Sequence, residues 1–430
     1  MKIHLAVLLL SFSVLTARAQ EDDYYRPGYL RFEDYTYHKD IRTVILEKEG
    51  DPMSMPVIAL GTGEKLILSF DLLQEEPADL AYTLVHCGFD WKPSQIGENE
   101  YLEGFFSEQL FDYRHSQNTL QNYWHYRMSV PGEQMRPVLS GNYLIVVYAH
   151  PQRDSILLTR RLVITDNKVA ISPQIHRATL AEYRKTHQEV DFKIALNSLV
   201  VQNPYEDLKV RITKNGNPFT AIESLKPLFA TSDILDYNYE EENLFEGGNE
   251  FRNFDLRTTR FETQFIERFI TDSVTGGLTA VLKPEQRRSA QRYSLQNDID
   301  GGFLNTIYDN RDARYEGDYI EVLFSLKAAP GFTEKPIYIE GRLNDWRADQ
   351  PFRMNFNEAS GCYEQRIRLK QGFYDYQYVT IDRETGRSTL ETEGSHGETG
   401  NFYEISVYWK SPGTRYDQLI GYTRVQTGGL

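Results

Sequence analysis

The chain is short of cysteine, of basic charge and of long apolar runs, and each shortage removes a class of protein. Only Cys87 and Cys362 occur in 430 residues, too few for a disulfide-stapled scaffold, and no CxxC pair offers a thiolate metal site. The two thiols fall in different modules by the divisions drawn below and are expected to stay unpaired. Nine histidines are scattered without an HExxH motif, and no alternation of Asp and Asn forms a calcium loop. Neither metal nor cofactor is therefore expected. Lys and Arg number 47 against 62 Asp and Glu, a formal charge of −15, which argues against phosphate-backbone binding and against a polybasic membrane anchor. Past the first twenty positions no window approaches the roughly 20 apolar residues of a membrane-spanning helix. A sustained helical stripe is missing too. The best short candidates are 179–185 and 284–293.

What is present begins with an export signal. Lys2, the apolar run 5–15 and the small-x-small triplet Ala17, Arg18, Ala19 read as a signal peptide over 1–19. The mature chain then starts near Gln20, with no following cysteine for a lipid. Tyrosine (29) and phenylalanine (23) are abundant, and the patterned segments alternate with period two. KLILSF (65–70), YLIVVY (143–148), TRRLVIT (159–165) and DFKIAL (191–196) read as strands. Asn215-Gly216 after KVRITK predicts a type I′ hairpin, because both central positions of that turn need positive φ. The spacing of strands and turns predicts a mainly β protein of tandem immunoglobulin-like or early-set β-sandwich modules. A segment over 20–40 leads to module 1 at 41–165, module 2 at 166–312 and module 3 at 313–430.

The stretch HCGFDWKPSQIGENEYLEGF (86–105) gathers the residue types of an active site. A Cys/His nucleophile needs the thiolate within hydrogen-bond reach of the imidazole. Neighbouring strand residues point to opposite faces, so His86 and Cys87 are expected apart. Asp90, Glu98, Glu100 and Glu103 have the composition of a glycosidase pair, but acids in a loop with Pro, Ser and Gly are ordinarily solvated. GTGEK (61–65) lacks the spacing of a phosphate loop and reads as a hairpin turn. No catalytic residue is assigned, and the protein is expected not to be an enzyme. Aromatic side chains of 86–105 (Trp91, Tyr101, Phe105) and of the acidic segment 236–250 (Tyr237, Tyr239, Phe245) are candidates for partner contact. The same rings are also suited to packing on their own modules.

Two resemblances add to this. PIYIEGRLNDWRADQPFRM (336–354), GCYEQRIRL (361–369) and GFYDYQYVTID (372–382) resemble the starch- and glycogen-binding early-set sandwiches. There Trp346 matches the first sugar-stacking tryptophan, but Arg383, Glu384 and Thr385 replace the second. The resemblance implies a shared architecture with Trp346 as a packed turn residue, carbohydrate being the runner-up ligand. The second resemblance runs through PVIALGTGEKLILS (56–69), YTLVHCGFDWKPSQIGENEYLEGF (82–105), YWHYRM (123–128), LSGNYLIVVY (139–148), LTRRLV (158–163), LKQGFYDYQYV (369–379) and EGSHGETGNFYEISVY (393–408). Together these resemble the plug proteins of the Bacteroidetes type IX secretion system. Gly88-Phe89 departs from the small polar-acidic pair expected there. The resemblance implies a non-catalytic periplasmic protein that caps an outer-membrane barrel translocon, its partner, when no cargo occupies the pore. A carbohydrate-binding envelope protein is the alternative.

Overall fold

The computed structural model describes residues 29–308, 311–328, 335–382 and 384–427. The expected signal peptide lies outside them. The protein is mainly β, built as three sandwiches. In the first, one sheet runs Tyr35–Thr36, Ile156–Thr165, Gly141–Ala149, Leu80–Cys87 and Glu108–Gln109, with Val57–Ala59 parallel to Ile156–Thr165. The facing sheet runs Ile41–Lys48, Leu66–Leu72, Trp124–Val130 and Tyr113–His115. Period two places Leu66, Leu68 and Phe70 on one face of their strand, where they meet Leu84, Tyr143, Ile145 and Val147. Burying each such side chain stabilises the fold by about 1.5–3 kcal/mol.

The second sandwich faces Ala170–Arg177, His187–Ala195, Ile234–Tyr237 and Phe229–Ala230 against Asn217–Ile222, Leu208–Lys214, Phe402–Trp409 and Gln418–Gln426. Its core joins Phe192, Ile194 and Tyr237 to Val210, Ile212, Tyr403 and Ile405. The predicted hairpin is present, with φ of 54° at Asn215 and 67° at Gly216. The third sandwich opposes a sheet centred on Phe373–Ile381, with Arg252–Asp255 and Ile337–Glu340 beside it, to Ile266–Thr271, Leu278–Leu282, Tyr319–Lys327, Cys362–Lys370 and Asn355–Asn357. Phe254, Phe324, Tyr374 and Tyr376 lie in its core.

The linear division at 312/313 needs correcting. Arg252–Leu282 supplies strands to the third sandwich, and Phe402–Gln426 returns to the second, pairing Leu208 with Trp409. The third sandwich is thus inserted within the second. Local periodicity identifies strands but says nothing about partners about 200 residues away, so the return was invisible to it. Neither helical candidate forms a helix: among the described residues the α-helices are the single turns Glu98–Tyr101, Pro204–Asp207 and Ala313–Glu316.

Candidate functional site

The 86–105 stretch folds as a strand end, a tight turn and one helical turn. His86 and Cys87 do sit on opposite faces: the imidazole meets the Tyr143 ring at 4.9 Å, whereas Cys87 clusters with Trp91, Leu144 and Val146. Burial pushes the Cys87 thiol up to about 12 and the His86 imidazole down to about 4. That is the reverse of an activated pair. Each acid in the stretch has a basic partner: Asp90 with Lys92, Glu98 with Arg153, Glu100 with Arg415 and Glu103 with Arg136. Cys362 is likewise a buried free thiol.

What this stretch does is join sandwiches. Phe89 packs edge-on against Tyr408 at 5.2 Å and shares a small apolar cluster with Leu419 and Val163. Its backbone N–H donates to Asp417 Oδ2 at 3.0 Å. Arg415 donates to the Gln95 carbonyl at 3.0 Å, and Tyr408 Oη donates to Asn142 Oδ1 at 2.7 Å. Phe89, where the sequence departs from the expected polar pair, is therefore an apolar pin between the first and second sandwiches.

A different joint links the first sandwich to the third. Asp71, fully buried in the strand Leu66–Leu72, receives Lys370 Nζ at 2.6 Å and Tyr319 Oη at 2.7 Å on one oxygen, and faces His125 Nδ1 at 2.7 Å with the other. Tyr319 Oη also meets Thr43 Oγ1 at 2.7 Å, and Lys370 donates to the Arg314 carbonyl while its ammonium sits 4.2 Å from the Tyr123 ring centre. Burial pushes the Asp71 carboxyl up, but Lys370 and His125 more than offset this and hold it below its ordinary value. The Asp–His pair has the form of a catalytic dyad, yet among the described residues His125 Nε2 has no hydrogen-bond partner, and so no hydroxyl in the place of a nucleophile. Sequence reasoning passed over these residues. The available signal was an acid inside the apolar strand LILSFDL and a lysine closing RIRLK.

The two chain crossings between second and third sandwiches are tied to one another. Asn401 Nδ2 donates to the Gly247 carbonyl at 2.8 Å and Asn249 Nδ2 to the Glu393 carbonyl at 2.9 Å. Buried Glu393 receives Arg252 at 2.9 Å and Arg288 at 2.7 Å, one on each oxygen. Where all three sandwiches converge, a cleft of about 690 Å³ is lined by Trp91, Arg161, Arg211, Phe219 and Trp346 among others. Trp346 is 4% exposed. Its ring stands edge-on to Phe251 at 5.8 Å, and a Cβ added at Gly301, which holds φ +78°, would lie 2.3 Å from it. A ring packed this tightly offers a sugar no stacking face, in keeping with a packed turn residue.

Of the six candidate contact residues, most are spent internally. Trp91 lies under Arg161 with 4.4 Å from guanidinium carbon to ring centre. Tyr101 is buried and donates to the Leu84 carbonyl. Tyr237 stacks on Phe192 at 4.5 Å, and Phe245 meets Tyr403 at 5.1 Å. Half-buried Tyr239 donates to the Lys226 carbonyl. Phe105 alone of the six is freely exposed, at 58%.

Residues 41–166 match the family model described as type 9 secretion system plug protein 1st domain. No curated protein matches the chain. Its fold is similar to the crystal structure of a hypothetical protein from Parabacteroides merdae ATCC 43184, with 30% identity and a TM-score of 0.89 over 93% of this chain and 100% of that one. A likeness this long, together with the matched first domain, shows that the chain belongs to the type 9 secretion system plug protein family.

Proposed function

We propose that the protein is a non-catalytic plug that closes the periplasmic face of the outer-membrane type IX translocon while no cargo fills the pore. The family points to a non-enzymatic, envelope-associated protein that works with the secretion system. The match at residues 41–166 is the observation that carries the reading, and the signal-like residues 1–19 are consistent with export. Obstructing a wide lumen requires a body that keeps its shape rather than chemistry. Three sandwiches joined by an apolar pin, a buried ion pair and a pair of tied crossings form such a body. Release on cargo arrival calls for a modest, largely polar contact. Phe105 is the exposed aromatic side chain we assign to it.

Two measurements test this. The chain, tagged and purified from native envelopes, should bring down an outer-membrane barrel protein. Deleting its gene should raise leakage of large antibiotics through the emptied pore. A deletion strain with unchanged permeability and no barrel protein in the pull-down would sink the proposal.

A further inference from the structure

One cluster outside the joints brings together the donor atoms of a metal centre. His176 lies on Ala170–Arg177, directly opposite Glu189 on His187–Ala195. Strand periodicity then places Asp191 on the same face as Glu189. His176 Nε2 is 2.9 Å from Asp191 Oδ2 and 3.6 Å from Glu189 Oε1, and one donor atom from each residue lies within 4.8 Å of the others. Donors bound at about 2.0–2.2 Å to a common ion subtend about 90° at the first separation and about 120° at the second, the range of four- and five-coordinate zinc.

The supporting hydrogen bonds point the same way. His176 Nδ1 is 2.9 Å from the Arg177 carbonyl, which can only accept, so the proton of the neutral ring sits on Nδ1. Nε2 is then a lone pair aimed at two carboxylates. Three converging lone pairs require a positive occupant, either a proton or a metal ion. Among the described residues neither Glu189 nor Asp191 has a Lys or Arg ion pair. Glu189 receives Thr179 N–H at 2.7 Å and its hydroxyl at 3.2 Å. Asp191 Oδ1 receives Asn243 Nδ2 at 2.9 Å. Each donor thus carries the outer hydrogen bond that orients metal ligands. Asn243 is fully buried, and its Oδ1 has no partner, leaving an unused acceptor beside the cluster.

We propose that His176, Glu189 and Asp191 bind one divalent transition-metal ion, of the zinc class, with solvent completing its coordination past the partly exposed His176. One imidazole and two carboxylates favour zinc over calcium or magnesium, which prefer all-oxygen shells. The ion would clasp the first two strands of the second sandwich to each other and, through Asn243, to the segment that precedes Leu244–Glu246. This proposal stands apart from the plug reading.

The test is a zinc titration of the full mature chain against a chromophoric chelator. Wild type should take up one Zn²⁺ per chain at micromolar or lower concentration. His176→Gln should lose that uptake or weaken it at least tenfold, while His38→Gln keeps it. No stoichiometric uptake by wild type, or equal uptake by His176→Gln, overturns the proposal. Should the variant misfold, ¹⁵N spectra of the wild-type His176 ring decide: a zinc-induced shift of Nε2 at neutral pH supports the site, and a ring that responds to acid but not to zinc removes it.

Discussion

Two buried carboxylates in this protein behave in opposite ways. Asp71, between the first and third sandwiches, has Lys370, His125 and Tyr319 on its two oxygens and is held below the ordinary carboxylate range. Asp375, inside the third sandwich, has no Lys or Arg ion pair among the described residues. It accepts the backbone N–H of Ile299 at 2.6 Å and of Gly301 at 3.2 Å on Oδ2, while Oδ1 has no partner. Burial, with Asp298 close by, pushes it up to about 8; burial also lifts Asp298 to about 7 and Asp300 to about 6. Equal burial therefore yields an ion pair at a joint and an acid ready to hold its proton at a turn. The local partner decides which, since burial alone always favours the neutral form.

The largest expected effect comes from breaking the ion pair on one side only. Lys370→Ala leaves Asp71 charged and buried without its cation and should cost about 3–5 kcal/mol, read as a lower urea midpoint at pH 7. Replacing both partners, Asp71→Leu with Lys370→Met, should recover most of that loss, because the uncompensated charge disappears with its partner. A double variant as unstable as the single one would show that the pair also fixes the geometry of the joint.

Next comes the opposite acid. Asp375→Asn should stabilise the protein by roughly 1–2 kcal/mol at pH 8, by removing a charge the site disfavours while keeping an oxygen for the Ile299 and Gly301 N–H groups. The signs differ with pH. The depressed Asp71 contributes stability above its unfolded value near pH ~4, and this is lost as pH falls through its lower folded pKa. The raised Asp375 favours the folded state fully below that unfolded value and loses this as pH rises through about 8. Acidifying from pH 8 to 5 should therefore raise the wild-type midpoint, and Asp375→Asn should flatten the rise. A wild-type profile with no rise over that window would contradict the assignment.

How far the sequence could be read follows from the same contrast. Alternation in LILSFDL announced a strand because one of its faces lies in a core, YLIVVY announced one as a short run of β-branched, aromatic and apolar residues that is buried on both faces, and Asn215-Gly216 announced its hairpin because few other pairs adopt two positive φ angles. Long-range pairing had no such local mark. Leu208 opposite Trp409, and with it the insertion of one sandwich in another, depends on cores that assemble from distant segments. Trp346 was legible as a turn residue, whereas the burial of Tyr237 and Phe245 was not: an aromatic in an acidic segment reads alike whether it faces a partner or its own core. Asp71 and Lys370 each looked like a stray charge until the fold set them 2.6 Å apart.

The smallest effects should come from the stretch that most resembled an active site. Glu100 receives the Gly97 N–H and pairs with Arg415 at the surface, where water and salt screen the charge. Glu100→Gln keeps an oxygen for Gly97 and should leave the melting temperature and any translocon co-purification unchanged. Cys87, fully buried and with its thiol pushed up to about 12, should resist iodoacetamide at pH 8 until denaturant exposes it, since the thiolate is the reactive form. Rapid alkylation of the native protein would mean that this strand end opens to solvent. In that case the apolar pin at Phe89, one turn away, would be a hinge between the first and second sandwiches rather than a lock, and the rigid body on which plugging depends would have to come from the Asp71 joint and the tied crossings between the second and third sandwiches.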